Sequence, residues 1–363
     1  MQILTLSPTL RSLSVSVFRD GADKPVLQQH VTGRRDTFDF EEATSETFSS
    51  ISRALEGAGR FPPDIVVVRG LYGGERFRQP ELASDSVLAE LAALAPQAPL
   101  HVPRVIQLVM AASRAYPQTP VVLVFETAFF VSLPERERRY AIDPDLLDSR
   151  SLRRFGFHGI FHEAACMEAA RRLESPESRI LSICLEPRPE LAACRGGRPV
   201  MVTGGSTPAE GLPGEASCGD LDPSVVLKLA DDGHLGPEGA SHLLTCASGL
   251  LGLAGRDVSL AEVLGSADDE ADGELQLARD VFLHCLLRAC GAGIAALGGL
   301  DGIVYSGLYA DSAGVLHEWL NERLKQSIGR DTTCVVHSCT LAQELHDIGY
   351  VMARENAAPV DAV

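Results

Sequence analysis

The segment FGFHGIFH (155–162) places two histidines, His158 and His162, four residues apart behind a glycine turn, where a helical pattern of Phe161, Ala165, Ala169 and Leu173 begins. Zinc would want a third ligand and His-Glu-x-x-His spacing on a single helix. Here His158 lies in the Gly156–Gly159 turn and only His162 lies on the helix. A turn histidine suits a different task, donating a hydrogen bond to a reacting oxygen; His162 reads as a capping or packing residue at the helix start. Three further segments carry more glycine, proline and polar residues than a plain connection needs: RGLYGGERF (69–77), TGGSTPAEGLPGEASCGDLDP (203–223) and SGLLGLAG (248–255). The glycines of the second let backbone amides approach an anion. It matches neither the Gly-x-x-x-x-Gly-Lys-Ser/Thr loop nor the dinucleotide fingerprint, and a plain surface loop reads equally well.

Strands and helices must position these loops. Short β-rich runs recur as MQILTL, SVSVF, DIVVV (64–68), VVLVF (121–125), ILSICL (180–185), GIVYS (302–306) and CVV (334–336). Helical spacings lie between them: Phe48, Ile51 and Leu55, then Val105, Val109 and Ala112, then Leu277, Val281 and Cys285. Alternating strands and helices predict α/β layers with substantially parallel sheets. A strand-rich opening occurs at residue 1 and again near residue 180, which points to two similar halves. The charged, turn-rich stretch 134–151 marks the domain boundary.

A chain of 363 residues with 45% hydrophobic content is long enough for two cores. Lys plus Arg total 32 against 49 Asp plus Glu, a net charge of −17, so no nucleic-acid partner is expected. Nine scattered cysteines without a Cys-x-x-Cys pair fit a reducing compartment. The opening MQILTLSPTLRSLSVSVF is neither a signal peptide nor a membrane span, and the expected location is cytoplasmic, with no membrane partner.

Seven motifs in order, Arg69 ahead of YGGERF, APLHVP (98–103), VFETAF, FGFHG with its following histidine, STPAEGL (206–212), CGDLDP (218–223) and SGLLGLAG, resemble the acetate kinase family over nearly the whole chain. The resemblance implies an actin, hexokinase and Hsp70-like α/β fold: two domains with a duplicated core and a cleft between them. Domain I would span 1–142, with residues 345–363 returning to it, and domain II 143–344. It also implies roles. Leu71, Leu100, Phe157 and Pro208 would form an apolar acyl pocket; Arg69 would hold carboxylate and phosphoryl oxygens, and His158 would stabilise the transferring phosphoryl group. Glu126, where the family has Asp, would serve the metal. Gly204, Gly205 and Gly307 would face the cofactor, with Mg and ATP required if the chain is active and no cofactor otherwise. The partner class is a small carboxylate or acyl phosphate. A homodimer would form through domain II, where the apolar helix 275–297, with Cys290, Gly291, Gly293 and Ala296, is a candidate contact; an intradomain core helix reads equally well.

Elsewhere the sequence departs from the family. The opening Asn-x-Gly-Ser-Ser-Ser-x-Lys loop is here Ser7, Pro8, Thr9, Leu10, Arg11, Ser12, Leu13, Ser14. Ser217 stands where the family has its second arginine, a loss that costs on the order of three to five powers of ten in phosphoryl-transfer rate. The phosphate-binding Gly-Asn-Gly aligns with Glu186, Pro187 and Arg188; Val258–Ala261 replaces an Asp-x-Arg, and Gly307–Asp311 replaces Gly-Ile-Gly-Glu-Asn. Arg188, Arg11 and Arg256 are candidate substitute cations. These losses favour a non-catalytic pseudokinase that binds a small ligand or partner. The alternative is an active, divergent carboxylate kinase working on acetate, propionate or a similar acid.

Overall fold

The computed structural model describes every residue except 11, 21, 23, 34–38, 58–61, 232, 234, 267–272 and 358–363. Arg11 and the last residues of the expected C-terminal return therefore lie outside the described residues. The chain forms two compact units, Met1–Val131 with Thr340–Val363, and Ser132–Cys339. From sequence the junctions were expected at 142/143 and 344/345.

In the first unit the elements run β1 (Gln2–Pro8), β2 (Ser12–Arg19), β3 (Leu27–Thr32), α1 (Phe40–Gly57), β4 (Ile65–Gly70), β5 (Glu81–Leu82), α2 (Asp85–Ala93), α3 (Val102–Ala115) and β6 (Val121–Phe125). The sheet order is β3-β2-β1-β4-β6-β5. Strands β1, β4 and β6 are mutually parallel, while β2 and β3 extend the sheet as antiparallel hairpins. The parallel strands are buried on both faces, hence the continuous apolar runs IVVV and VVLVF. Helix α1 buries the expected stripe of Phe48, Ile51 and Leu55. The C-terminal helix (Leu341–Ala357) belongs to this unit, and Gly349 lets it lie close to the sheet: a Cβ there would stand 2.6 Å from a Val67 methyl and 3.0 Å from one of Ile3.

The second unit carries α4 (Glu135–Arg138), α5 (Pro144–Ser149), α6 (Gly159–Arg172), β7 (Arg179–Cys184), β8 (Glu190–Arg195), β9 (Arg198–Val202), α7 (Pro223–Ala230), α8 (Gly236–Cys246), α9 (Gly249–Ala254), α10 (Leu260–Gly265), α11 (Gly273–Leu297), β10 (Gly302–Ser306), α12 (Ala313–Ile328) and β11 (Thr333–Val336). Its sheet order is β11-β10-β7-β8-β9, with β11, β10 and β7 parallel and β8 and β9 antiparallel additions. The order β3-β2-β1-β4-β6 of the first sheet is thereby repeated. The two strand-rich openings are the start of a duplicated core.

Helix α11 forms where the spacing predicts a helix, but that spacing does not mark its buried face. The spacing of Leu277, Val281 and Cys285 is helical, but Leu277 is 53% exposed, and the inward stripe is Leu275, Ala278, Phe282, Leu286, Cys290, Gly293 and Leu297. A Cβ on Gly293 would stand 2.6 Å from a Leu181 methyl. Cys290 and Gly293 therefore face their own unit's interior, and a dimer contact would have to use other residues. By length and composition alone α11 could also cross a bilayer.

Candidate functional site

In the first unit, Arg69 is the penultimate residue of β4 and Glu126 follows β6. The register that pairs Arg69 with Val124 and Gly70 with Phe125 brings the two side chains together although 57 positions separate them. The Arg69 Nε–H donates to Glu126 Oε1 at 2.5 Å; the glutamate side chain has no exposed surface and the arginine side chain is 10% exposed. The neighbouring backbone is tight. Glu126 N donates to the Gly70 carbonyl (3.0 Å), Gly73 N donates to Thr127 Oγ1 (2.9 Å), and a Cβ on Gly70 would strike the Phe125 ring at 2.4 Å. Leu71, half-buried, follows β4; Leu100, ahead of α3, is 51% exposed. The opening hairpin is closed on itself: β1 pairs with β2 as far as Pro8 and Leu13, and Thr9 N donates to the Ser12 carbonyl at 2.8 Å. Amides used in a hairpin cannot also wrap a phosphate.

In the second unit Phe157, His158 and Gly204 lie together around the start of α6, and Gly307 sits where β7 and β10 end. Phe157 is buried and His158, half-buried, is the residue before α6. His158 Nε2 lies 2.9 Å from the Arg188 carbonyl. A carbonyl only accepts, so Nε2 carries the proton; the neutral ring then has an acceptor at Nδ1, and only the imidazolium donates from there. Both backbone N–H groups of this turn meet one carboxylate that sequence reasoning missed. Glu190, first in β8 and buried, accepts from Phe157 N (2.9 Å) and His158 N (3.2 Å), and lies 3.3 Å from His162 Nε2. Burial works to raise the Glu190 carboxyl, but the neighbouring His162 and His158 and the Phe157 N–H together hold it below the usual carboxylate range. His162 is fully buried and its Nδ1 lies 2.8 Å from Ser182 Oγ, which supports the packing role expected for it.

The glycines expected at the cofactor have internal reasons to lack a side chain. A Cβ on Gly204 would stand 2.6 Å from Glu190 Oε2 and from the Phe155 carbonyl, and one on Gly205 would overlap the Glu210 carboxylate. Gly307 has φ +90° and sits against the Leu185 backbone. Pro208 is half-buried in the loop after β9.

The replaced family positions are stitched to one another. Glu186 Oε1 accepts from Leu308 N at 2.7 Å. Glu215 Oε1 accepts from the Tyr309 hydroxyl (2.6 Å) and Leu260 N (2.9 Å), while Glu215 N donates to the Pro187 carbonyl (2.8 Å). Burial and the Glu215 bond raise the Tyr309 phenol well above its ordinary value, so it stays a donor. Among the candidate cations, Arg188 donates from Nη2 to the Thr245 carbonyl (3.0 Å) and exposed Arg256 pairs with Glu262 (2.8 Å). Ser217 is buried, its hydroxyl against Gly214.

Comparison with known proteins bears on this arrangement. The family model described as the Acetokinase family matches residues 25–334. The chain is 34% identical over 284 residues to a Streptomyces coelicolor protein named acetate kinase, covering 77% of this chain and 69% of that one. It is 40% identical over 271 residues to the acetate kinase of Clavibacter michiganensis subsp. michiganensis, covering 73% and 66%. The matched stretch thus spans about two thirds of these curated relatives. In structure it resembles Porphyromonas gingivalis acetate kinase (TM-score 0.81, 22% identity, 97% of this chain and 99% of that one). It also resembles a propionate kinase from Francisella tularensis subsp. tularensis SCHU S4 (TM-score 0.82, 19% identity, 96% and 99%). The two-sheet α/β fold with its repeated strand order is the one these kinases share, and the chain belongs to the acetokinase family.

Proposed function

We propose that this protein is a slow, divergent carboxylate kinase that moves a phosphoryl group between ATP and a short-chain carboxylate such as acetate or propionate. The carrying observation is the buried Arg69–Glu126 pair. Apolar residues of similar volume usually stabilise a fold as well as a buried ion pair does, so stability alone gives no reason for it. A guanidinium held rigidly at a strand end is suited to carboxylate and phosphoryl oxygens. In this reading the first unit contributes Arg69 to orient the acid and Leu71 and Leu100 as apolar contacts for a hydrocarbon tail; the second contributes His158, which as imidazolium donates from Nδ1 to phosphoryl oxygens, and the apolar Phe157 and Pro208. Glu126 is a single carboxylate already engaged by Arg69. That suits magnesium arriving with its phosphates, since the ion takes one or two carboxylates plus phosphate oxygens. Bound there, it would neutralise phosphate charge.

Relatives named acetate kinase at 34–40% identity support turnover over mere binding. Ser217 in place of an arginine makes the expected rate about three to five powers of ten below that of an enzyme with both. A second reading, ligand binding without turnover, is favoured by the Glu186 carboxylate on Leu308 N, an anion where a nucleotide phosphate would approach. The nine free thiols support a reducing, cytoplasmic setting, and the family resemblance supports a homodimer, which sedimentation would test.

The test is ATP- and magnesium-dependent acyl-phosphate formation, trapped as hydroxamate, across formate, acetate, propionate and butyrate. Turnover that Arg69→Ala abolishes is the expected result. None above that control would leave the second reading.

A further inference from the structure

We infer that Glu190 is the positioning residue of His158: together with the Arg188 carbonyl it fixes both the place and the tautomer of that imidazole. The inference rests on the reading of His158 as a phosphoryl-oxygen donor.

His158 is held at two points, both on residues 188–190. Its backbone N–H and that of Phe157 donate to the Glu190 carboxylate, which takes Phe157 N on both oxygens at 3.1 and 2.9 Å. Its ring Nε2 meets the Arg188 carbonyl at 2.9 Å. These N–H groups precede the first turn of α6, where no carbonyl of the helix can reach them and where a negative charge is favoured by the helix dipole. Glu190 thus caps α6 from another strand.

The carboxylate is itself fixed. His162 Nε2 stands 3.3 Å away, and the other side of that fully buried ring is held by Ser182, whose Oγ lies 2.8 Å from Nδ1. On the other side Gly204 leaves only enough room for Glu190 Oε2 and the Phe155 carbonyl. A buried carboxylate is costly, and an apolar side chain would tie β8 to this turn at lower cost. What the carboxylate adds is an acceptor for two successive amides, which sets where the His158 ring begins. The Arg188 carbonyl then commits Nε2 as donor and leaves Nδ1 for a ligand.

The experiment uses the ¹⁵N-labelled full chain, with Glu190→Gln and Glu190→Asp. Hydrogen exchange at the Phe157 and His158 amides and the ¹⁵N tautomer signature of the neutral His158 ring are read beside hydroxamate kinetics. Expected in the wild type is the Nε2–H form. In Glu190→Gln the two amides should exchange about tenfold faster or more as charge-assisted bonds are lost. The single tautomer signature should disappear, and kcat should fall about a hundredfold with KM little changed. Glu190→Asp, keeping the charge, should recover part of the protection. Unchanged exchange and tautomer in Glu190→Gln would overturn the inference, as would an Nδ1–H ring in the wild type, which decides the matter even if both variants fail to fold. A wild type without turnover would count against the kinase reading and leave the spectroscopic readouts intact.

Discussion

Replacing Arg69 by methionine separates what the Arg69–Glu126 pair does for stability from what it does for chemistry. The Glu126 side chain has no exposed surface, so Arg69→Met leaves a buried carboxylate without its arginine. Breaking a buried pair in this way costs about 3–5 kcal/mol. In a unit of this size each kcal/mol moves the melting temperature by about 2–4 °C, which gives a drop of about 6–20 °C. The double variant Arg69→Met/Glu126→Leu removes both charges, and its stability should return to the wild-type value or rise by about 1–4 kcal/mol. Turnover should be absent from both, because neither has a guanidinium for the substrate's oxygens. Urea melts followed by circular dichroism give the stabilities, and hydroxamate trapping gives the activity. A double variant that still turns over would refute the catalytic assignment. A single variant within about 1 kcal/mol of wild type would refute the claim that the pair is buried and mutually dependent.

Two further outcomes follow from the second unit. Glu186→Gly removes the carboxylate from Leu308 N. A hydrogen bond to a charged group is worth about 1.5–3 kcal/mol, so a fluorescent ATP analogue should bind about tenfold more tightly or better; equal affinities would show that the 307–310 loop does not face a nucleotide. Asp301 takes the Arg179 guanidinium (2.7 and 3.0 Å) and backbone N–H, and Arg330 (2.9 Å). The Arg179 bond above all holds its carboxyl well below the usual carboxylate range. The unfolded chain therefore takes this proton first as pH falls, so the contribution is full above about pH 4 and is lost progressively below it. Asp301→Asn should flatten the acid side of a stability profile from urea melts; parallel wild-type and variant profiles below pH 4 would contradict this.

The core strands were legible because strands buried on both faces need unbroken apolar runs, as in VVLVF. β3, β8 and β9 were not. LQQHVT alternates half-buried and exposed residues, ELAACR opens on a glutamate, and RPVMV carries a proline at the sheet edge. On α11 the apolar residues run most of the way round the helix, so spacing alone could not choose the inward face. Arg69 and Glu126 were found through the family resemblance, but their pairing follows from strand neighbours and not from anything local. Glu190 left one trace: a charged residue opening a strand whose next four residues, LAAC, are apolar, in a chain that also carries a histidine in a turn, a second at the start of the following helix, and a Gly-Gly pair.

Several positions read from sequence as departures from the family are joined to one another. Glu186 is matched to Leu308 N, Glu215 to the Tyr309 hydroxyl and Leu260 N, and the Arg188 carbonyl to His158. Glu186 and Leu308 both stand at positions read as replaced, and Tyr309 and Leu260 share Glu215, whereas His158 and Thr245, the partners of Arg188, stand at no such position; the first unit keeps its buried pair. Ser217 fits the same pattern, since its hydroxyl packs against Gly214 and a Cβ on Gly214 would also stand 2.8 Å from the Pro187 carbonyl. An arginine restored at 217 would have to displace neighbours already committed to one another, and overpacking of that kind typically costs about 1–3 kcal/mol. Restoring the family's chemistry at one position therefore does not restore it in the unit. The arginine, the Glu186–Arg188 loop and the 307–310 loop would have to change together.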